Sequence, residues 1–315
     1  MKWLFLMDPL ESIHFEKDTT YKLMCGASKQ GFPVYYLPKG GIVLENQKVW
    51  FRAQHVTPTE DPKTLFDLHA WEYFSEDEVS AVFIRTDPPF DNDYLMHTWL
   101  LDRLPESIPV INKPSAVRTV NEKIWATQFY DLMPLTMVTR HKDLALKFIQ
   151  THGECIIKPT DGFGGASVFK VNPQDSNTRV IIETMTLNET QEVILQKFIP
   201  EAALGDKRIL LLNGEILGAV LRVHSEQDHR NNFLSGGKPR ATEITLRDQE
   251  IVARLKPQLQ ALGLYFVGID IMGDYLIEVN VTSPTCLQEM NRLYNSQLED
   301  QVIDFVQTLI KTHHA

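Results

Sequence analysis

The chain has 315 residues, 43% of them hydrophobic and 23% charged, with a formal net charge of −10. There is room for two or three packed units with a real core, and the acidic balance argues against nucleic acid or an anionic membrane as the principal partner, since both reward a basic surface. The three cysteines, Cys25, Cys155 and Cys286, lie far apart with no CxxC spacing, which suggests neither a disulfide framework nor a zinc site and fits a reducing compartment.

In chain order, the apolar run at 3–7 stops at Asp8-Pro9, too short for a secretory h-region, and no run approaches the ~20 apolar residues of a membrane span. A cytoplasmic protein is expected. Residues 3–7, 34–37, 81–84 and 110–111 read as strands, with helices starting near Asp18 and Tyr94, which predicts an α/β layer with a parallel sheet. Ligand groups then belong where strands end, at Asp8-Pro9 and at 85–91. Neither segment is GxGxxG, so a dinucleotide-binding reading lacks its phosphate loop.

The pattern changes around Asn112-Lys113-Pro114, the first boundary. After a helix expected from about Asn121, the remainder reads as β-rich with fewer helices. Strands are predicted at 155–158, 168–171, 193–198, 209–212 and 216–223, and Asn213-Gly214 is the two-residue signal of a type I′ hairpin. Residues 246–262 have helical spacing, with a kink expected at Pro257. A last helix is expected over 297–312, and 225–242 is the longest polar, turn-rich stretch.

Two segments carry chemistry. The string DGFGGAS at 161–167 lies between predicted strands, so its glycines can turn tightly and present N–H groups to phosphate oxygens. It is not a Walker A loop, because Lys158 precedes the glycines and another strand follows them. A flap over a triphosphate and an ordinary glycine-rich hairpin both fit this segment taken alone. The second segment is a hairpin at 268–280, in which Glu278 and Asn280 share a strand face. A two-residue turn would pair Asp270 with Ile277 and leave Glu278 on the other face. A three-residue loop at 273–275 sets Asp270 opposite Glu278 and is the expected form. Two carboxylates and an amide oxygen are hard ligands that suit Mg²⁺, whereas a solvent-facing polar side would be the unremarkable alternative. The basic residues Lys123, Lys158, Lys207, Arg208, Arg222 and Arg230 are candidates for a phosphoryl-transfer site.

Taken together, Lys123, Lys158 with the glycine loop, Gln196-Lys197-Phe198, and Asp270 with Glu278 and Asn280 resemble the ATP-grasp superfamily. Within it, the chain resembles the bacterial glutathione synthetase family through RTDPPFD at 85–91, NKP at 112–114, NEK at 121–123, DGFGGAS, GDKR at 205–208 and VGIDIMGDYLIEVNVTSPT at 267–285. The resemblance implies an N-terminal α/β unit (1–120), a central ATP-grasp lid (121–200) and a C-terminal α+β ATP-grasp unit (201–315) carrying the metal-binding hairpin. It implies that Lys123 and Lys158 hold phosphates, that Gly162, Phe163, Gly164 and Gly165 cover them, and that Gln196, Lys197, Phe198 and Ile199 line the adenine pocket. Asp206 would meet the ribose side, Arg208 and Arg222 the transferred phosphoryl, and Asp270, Glu278 and Asn280 two Mg²⁺ ions, with Mn²⁺ able to substitute. An active-site loop at 223–239 would bring Arg230 and Asn232 to the nucleotide and Gly236 and Gly237 to the substrate. Lys17, Asp18, Arg85, Ser283 and Thr285 complete the substrate site.

The reaction so implied joins γ-glutamylcysteine to glycine through an acyl phosphate, with ATP as co-substrate, in a homotetramer. Loss of Asp270 or Glu278 charge is expected to cut turnover and leave the fold intact. Another ATP-grasp ligase is weighed against by RTDPPFD and VNVTSPT. A non-catalytic nucleotide-binding module is weighed against by the presence of Lys158, Arg208 and the carboxylates.

Overall fold

Trp3, Leu4, Phe5 and Leu6 are all buried, as a strand covered on both faces requires, and the first sheet is built around them. The computed structural model describes residues 1–162, 165–223 and 237–313. Strand β1 (Lys2–Leu6) is followed by α1 (Thr19–Lys29), β2 (Val34–Leu37), β3 (Ile42–Glu45), β4 (Lys48–Asp61), β5 (Thr64–Ser75), β6 (Val79–Ile84), α2 (Asn92–Leu101), β7 (Val110–Ile111) and α3 (Pro114–Thr119). β1 pairs in parallel with β2 and β6, and β6 with β7. Asp18 and Asp91 cap α1 and α2 by accepting from the backbone N–H of Tyr21 at 2.7 Å and of Tyr94 at 2.9 Å, the role short acids commonly take at helix starts.

The expected parallel sheet is only the centre of this layer. On one side β4 runs antiparallel to β2, β3 and β5, making a long hairpin the sequence does not announce. Its strands are largely half-buried or exposed, and Gln54, His55 and Pro58 interrupt any clean alternation of apolar and polar residues.

The helix expected from Asn121 is replaced by a turn and a short 3₁₀ segment, Trp125–Phe129. Asn121 Oδ1 accepts from the N–H groups of Lys123 and Ile124 at 3.1 and 2.9 Å, a local closure that competes with helix. The second sheet comprises β8 (Thr136–Thr139), β9 (Cys155–Pro159), β10 (Phe169–Val171) and β11 (Val193–Lys197) in the order β10-β9-β11-β8. Helices α4 (Lys142–His152) and α5 (Thr178–Met185) join it, so this part is less purely β than the sequence suggests. Phe148, Ile149, Cys155, Ile157, Ile182, Val193 and Leu195 form its own apolar cluster.

The third sheet is antiparallel throughout, in the order β14-β13-β12-β15-β16. Its strands are β12 (Asp206–Leu212), β13 (Glu215–Val223), β14 (Lys238–Arg240), β15 (Phe266–Met272) and β16 (Tyr275–Asn280), with α6 (Leu246–Leu262), α7 (Leu287–Tyr294) and α8 (Leu298–His313). Asn213 and Gly214 both have positive φ, at 51° and 77°, and Leu212 pairs with Glu215 across them, as a type I′ turn demands. Helix α6 begins with a capping box between Thr245 and Asp248, ends at Gly263 in the left-handed region, and continues through Pro257 over its 17 residues.

Leu210, Val220, Phe266 and Met290 share one apolar cluster with Trp3, Phe5 and Phe83, while Ile209, Leu211 and Ile269 share another with Leu4, Leu6 and Val82. The first and third sheets therefore pack into common cores. Asn112 locks them together: its Nδ2 donates to Phe266 O at 2.8 Å and Val281 O at 2.9 Å, and its Oδ1 accepts from Phe266 N at 2.7 Å. Among the described residues no helix is long and apolar enough to cross a membrane.

Candidate active site

Alternation along β12 sends Asp206 and Arg208 to one face and Lys207 to the other. Register decides what they meet. Asp206 lies opposite Arg222 of β13, and Arg208 opposite Asp270 of β15. The outcome is a buried network: Arg222 Nε donates to Asp206 Oδ1 at 2.9 Å, Arg208 Nη2 to Asp270 Oδ2 at 2.9 Å, and Arg222 Nη2 lies 2.9 Å from Asp270 Oδ2. Gly205 leads into it with φ +116°, and a Cβ there would sit 2.5 Å from Arg222 O, so only glycine fits without moving the strand. Lys207, on the opposite face, bonds Asp248 at 2.5 Å and Glu243 O at 2.9 Å. It is an anchor for the start of α6 and is not part of the site.

Asp270 does face Glu278, but not by the expected three-residue loop. The turn has two residues, Gly273 and Asp274, with Met272 paired to Tyr275, and a register shift between Asp270 and Ile271 restores the Asp270–Glu278 pair. One extra residue on a bulged strand moves every later side chain to the other face, so the bulge does what a longer loop would have done. Burial pushes the Glu278 carboxyl up and the neighbouring Asp270 charge pushes it further, against the pull of Lys123. For Asp270 the push of burial is outweighed by Arg208 and Arg222, which hold it far below the usual carboxylate range. Lys123 Nζ lies 3.6 Å from Glu278 Oε2 and also donates to Gly162 O.

Lys158, at the end of β9, is 6% exposed and makes no ion pair among the described residues. Burial lowers its ammonium to about 8, with Glu278 offsetting part of that shift. Beside it, Gln196 Nε2 donates to Thr136 Oγ1 at 3.0 Å. The N–H groups of Lys197 and Phe198 are committed to Leu135 O and Glu154 O at 2.9 and 3.0 Å, and the Phe198 ring lies under the Lys170 ammonium at 4.0 Å.

All of these groups open onto one cavity of about 1130 Å³ between the three sheets. Of the residues the sequence singles out, Lys17, Asp18, Arg85, Lys123, Lys158, Gly162, Gly165, Gln196, Lys197, Phe198, Ile199, Asp206, Arg208, Arg222, Asp270, Glu278, Asn280, Ser283 and Thr285 line it. Gly237 is described but does not. Phe163, Gly164, Arg230, Asn232 and Gly236 fall outside the described residues. Sequence reasoning missed Glu122, which also lines the cavity: its Oε1 accepts from Val281 N at 2.8 Å, Thr282 N at 3.0 Å and Thr282 Oγ1 at 2.9 Å, and Glu122 O accepts from Val279 N at 2.9 Å. It fixes the metal-candidate strand to the segment carrying Lys123. Asp8, at a strand end where the sequence places ligand groups, lines the cavity as well, held by Lys39 at 2.7 Å and by the N–H of Asp87 at 2.8 Å.

A glycine-containing loop, buried cations and facing carboxylates around a cleft, carried on an antiparallel sheet beside a smaller one, define an ATP-grasp ligase. Solved structures share the fold: the Chryseobacterium gregarium RiPP-associated ATP-grasp ligase (TM-score 0.66, 16% identity, 98% of this chain and 97% of that one) and D-cycloserine synthetase (TM-score 0.64, 15% identity, 99% of each). Residues 1–118 match the prokaryotic glutathione synthetase N-terminal domain, and residues 122–295 the prokaryotic glutathione synthetase ATP-grasp domain. Glutathione synthetases of Synechocystis and Vibrio cholerae are 40% and 36% identical, over 96% and 97% of this chain and 98% and 97% of theirs. The chain belongs to the prokaryotic glutathione synthetase family.

Proposed function

We propose that the protein joins γ-glutamylcysteine to glycine in two steps at this cavity, consuming ATP. In the first, a cysteinyl carboxylate oxygen attacks the γ-phosphorus and ADP leaves. In the second, the glycine amine attacks the acyl carbon, phosphate leaves, and the amine proton is released. The observation that carries the reading is Lys158, a buried cation that forms no ion pair among the described residues, on the same cavity as two buried arginines. Such a group is unfavourable alone and favourable against a triphosphate.

Lys123 and Lys158 orient the phosphates, and Gln196 to Ile199 border the adenine. Asp206 is placed for the ribose. Arg208 and Arg222 face the transferred phosphoryl, offsetting repulsion between an anionic nucleophile and an anionic triphosphate. The strand-end acids suit a divalent metal on the chemistry of their donors. Two carboxyl groups at paired positions of adjacent strands, with the Asn280 amide on the same strand face as Glu278, are oxygen donors short of an all-protein cage, as Mg²⁺ or Mn²⁺ shared with phosphate oxygens requires. Such ions would neutralise charge on the phosphates. Water would hydrolyse an acyl phosphate, so the reaction requires the cavity to be closed to solvent while that species is held there. The expected homotetramer is checked by light scattering on the purified protein, and the expected cytoplasmic location by cell fractionation.

The test is ADP release with Mg²⁺, ATP and γ-glutamylcysteine, with and without glycine, alongside mass detection of glutathione. Glycine-dependent release matched one-for-one by glutathione is the expected result. ATP bound but never cleaved would overturn it.

A further inference from the structure

His97, on α2, is 5% exposed and does not line the cavity, yet it holds a turn that does. Its Nε2 accepts from Gly40 N at 3.1 Å, so the ring is neutral and carries its one proton on Nδ1. That Nδ1 is buried with no hydrogen-bond partner among the described residues. Stranding a buried N–H is unfavourable. A histidine that keeps its acceptor under that penalty points to Gly40 as the group it serves.

Residues 38–41 form the tight turn between β2 and β3. Gly41 N donates to Pro38 O at 2.9 Å, and Gly40, but not Lys39, has positive φ, at 78°, which is the geometry of a type II turn. The base of the turn is pinned to β4: Gly41 O accepts from Arg52 N at 2.8 Å, and a Cβ on Gly41 would lie 2.8 Å from Arg52 O. The central peptide is freer, since a Cβ on Gly40 would meet nothing within 4 Å, and turning that peptide over converts type II to type I. By accepting the Gly40 N–H, His97 selects type II. Lys39, the other central residue, lines the cavity and reaches Asp8 at 2.7 Å, and Asp8 accepts from Asp87 N at 2.8 Å. The turn therefore braces both strand-end segments, 8–9 and 85–91, on the cavity side.

We infer that neutral His97 is a positioning residue for the cavity: it holds the 38–41 turn in the form that presents Lys39 to Asp8, and a proton on its Nε2 releases that turn. An imidazolium is a donor at both nitrogens, so the Gly40 N–H would face another N–H and the central peptide turns over. Burial holds the ring below its ordinary 6.5, with Lys39 of the turn adding to that shift, and Asp93 of α2 and Asp91 at its cap opposing it. No charged group of β3 or α3, the elements packed most against α2, acts on it. The turn is therefore held at neutral pH and released on the acid side. The consequence for catalysis rests on the function proposed above, whereas the control of the turn does not.

The experiment is a nuclear magnetic resonance titration of the full chain carrying isotopically labelled glycine, paired with kinetics. In wild type the Gly40 amide, assigned by its absence from the spectrum of Gly40→Asn, should titrate with the same midpoint as the His97 ring, below 6.5. His97→Gln places a carbonyl oxygen where Nε2 stood and cannot take the proton, so its Gly40 amide should not move over that range. As pH falls through the midpoint, KM for γ-glutamylcysteine in wild type should rise about 2- to 10-fold above that of His97→Gln, the equilibrium shift of one neutral hydrogen bond. The two proteins should agree at neutral pH, and KM for ATP should not separate them. His97→Leu, which offers no acceptor, should show the raised KM at every pH. A Gly40 amide that ignores the His97 titration, or follows pH equally in His97→Gln, would overturn the inference, as would an acid-side rise in KM of the same size in both proteins. Should His97→Leu fail to fold, the comparison of wild type with His97→Gln decides. A chain that makes no glutathione, but whose Gly40 amide follows His97, would remove the proposed function and leave the control of the turn standing.

Discussion

Asp270→Asn and Glu278→Gln look equivalent in the sequence, each removing one carboxylate from a metal-candidate pair, but the structure separates them. Asp270 is 3% exposed and is shared by two buried arginines. Asparagine would leave Arg208 and Arg222 with Asp206 as their only ion-pair partner among the described residues. Removing one partner from a buried pair costs about 3–5 kcal/mol, which for a chain of this size is a fall in Tm of roughly 5–15 °C. Glu278 is the opposite case: burial and Asp270 push its carboxyl up, so a neutral, isosteric glutamine removes an unfavourable charge and loses the 3.6 Å contact to Lys123 and the weaker attraction of Lys158. Its Tm should stay within about 2 °C of wild type. Both variants should lose turnover by orders of magnitude. Thermal melts by circular dichroism, with activity measured well below the transition, check the contrast. Asp270→Asn melting with wild type would refute the argument that the arginines depend on Asp270.

Lys158→Met should lose nucleotide affinity while gaining stability at neutral pH. Because the folded ammonium falls to about 8 from 10.5, the unfolded chain binds the extra proton between those values, so wild-type stability rises with pH across that window and the buried charge costs on the order of 3 kcal/mol below it. By the same linkage, ATP binding to wild type above pH 8 should take up a proton, read by calorimetry in buffers of different ionisation enthalpy, and Lys158→Met should not. Lys207→Met should lower stability by about 1–3 kcal/mol, since buried Asp248 loses its cation, yet leave kcat unchanged; a large loss of kcat would put Lys207 in the site after all. Asn112→Ala should cost about 2–4 kcal/mol in denaturant melts by stranding Phe266 N–H and C=O between the first and third sheets, with KM for ATP near wild type in the folded fraction.

How much of this was legible in the sequence depends on whether a signal is local. Val34–Leu37 and Val110–Ile111 are wholly buried strands and stand out as apolar runs. The Asn213-Gly214 turn and helix Leu246–Leu262 are set by residues within a few positions of each other. The β4–β5 hairpin is not local in that sense: its half-buried strands, with Pro58 in one of them, take their order from pairing, and no face is apolar enough to mark them. The helix expected from Asn121 fails because one side chain closes a turn there. At the site, Lys158, Arg208, Asp270 and Glu278 can be named from residue type and spacing. That Arg208 meets Asp270, 62 residues away, is a consequence of register, and the bulge that aims Glu278 at Asp270 has no sequence mark beyond Gly273.

Register also explains why the cations and anions of this site were built to answer one another. Arg208 and Arg222 face Asp270 and Asp206 across adjacent strands, two buried cations against two buried anions. Had either strand slipped by one residue, Lys207 would replace its neighbours on the cavity face and the aspartates would be stranded among apolar side chains. The charge pairing therefore penalises wrong registers strongly, while Asp270, already bridging the two arginines, still presents its carboxyl to Glu278 and the cavity. Lys158 and Arg85 lie outside this balance: buried cations that form no ion pair among the described residues. The paired set fixes the strands, and the unpaired set is left to select what enters between them.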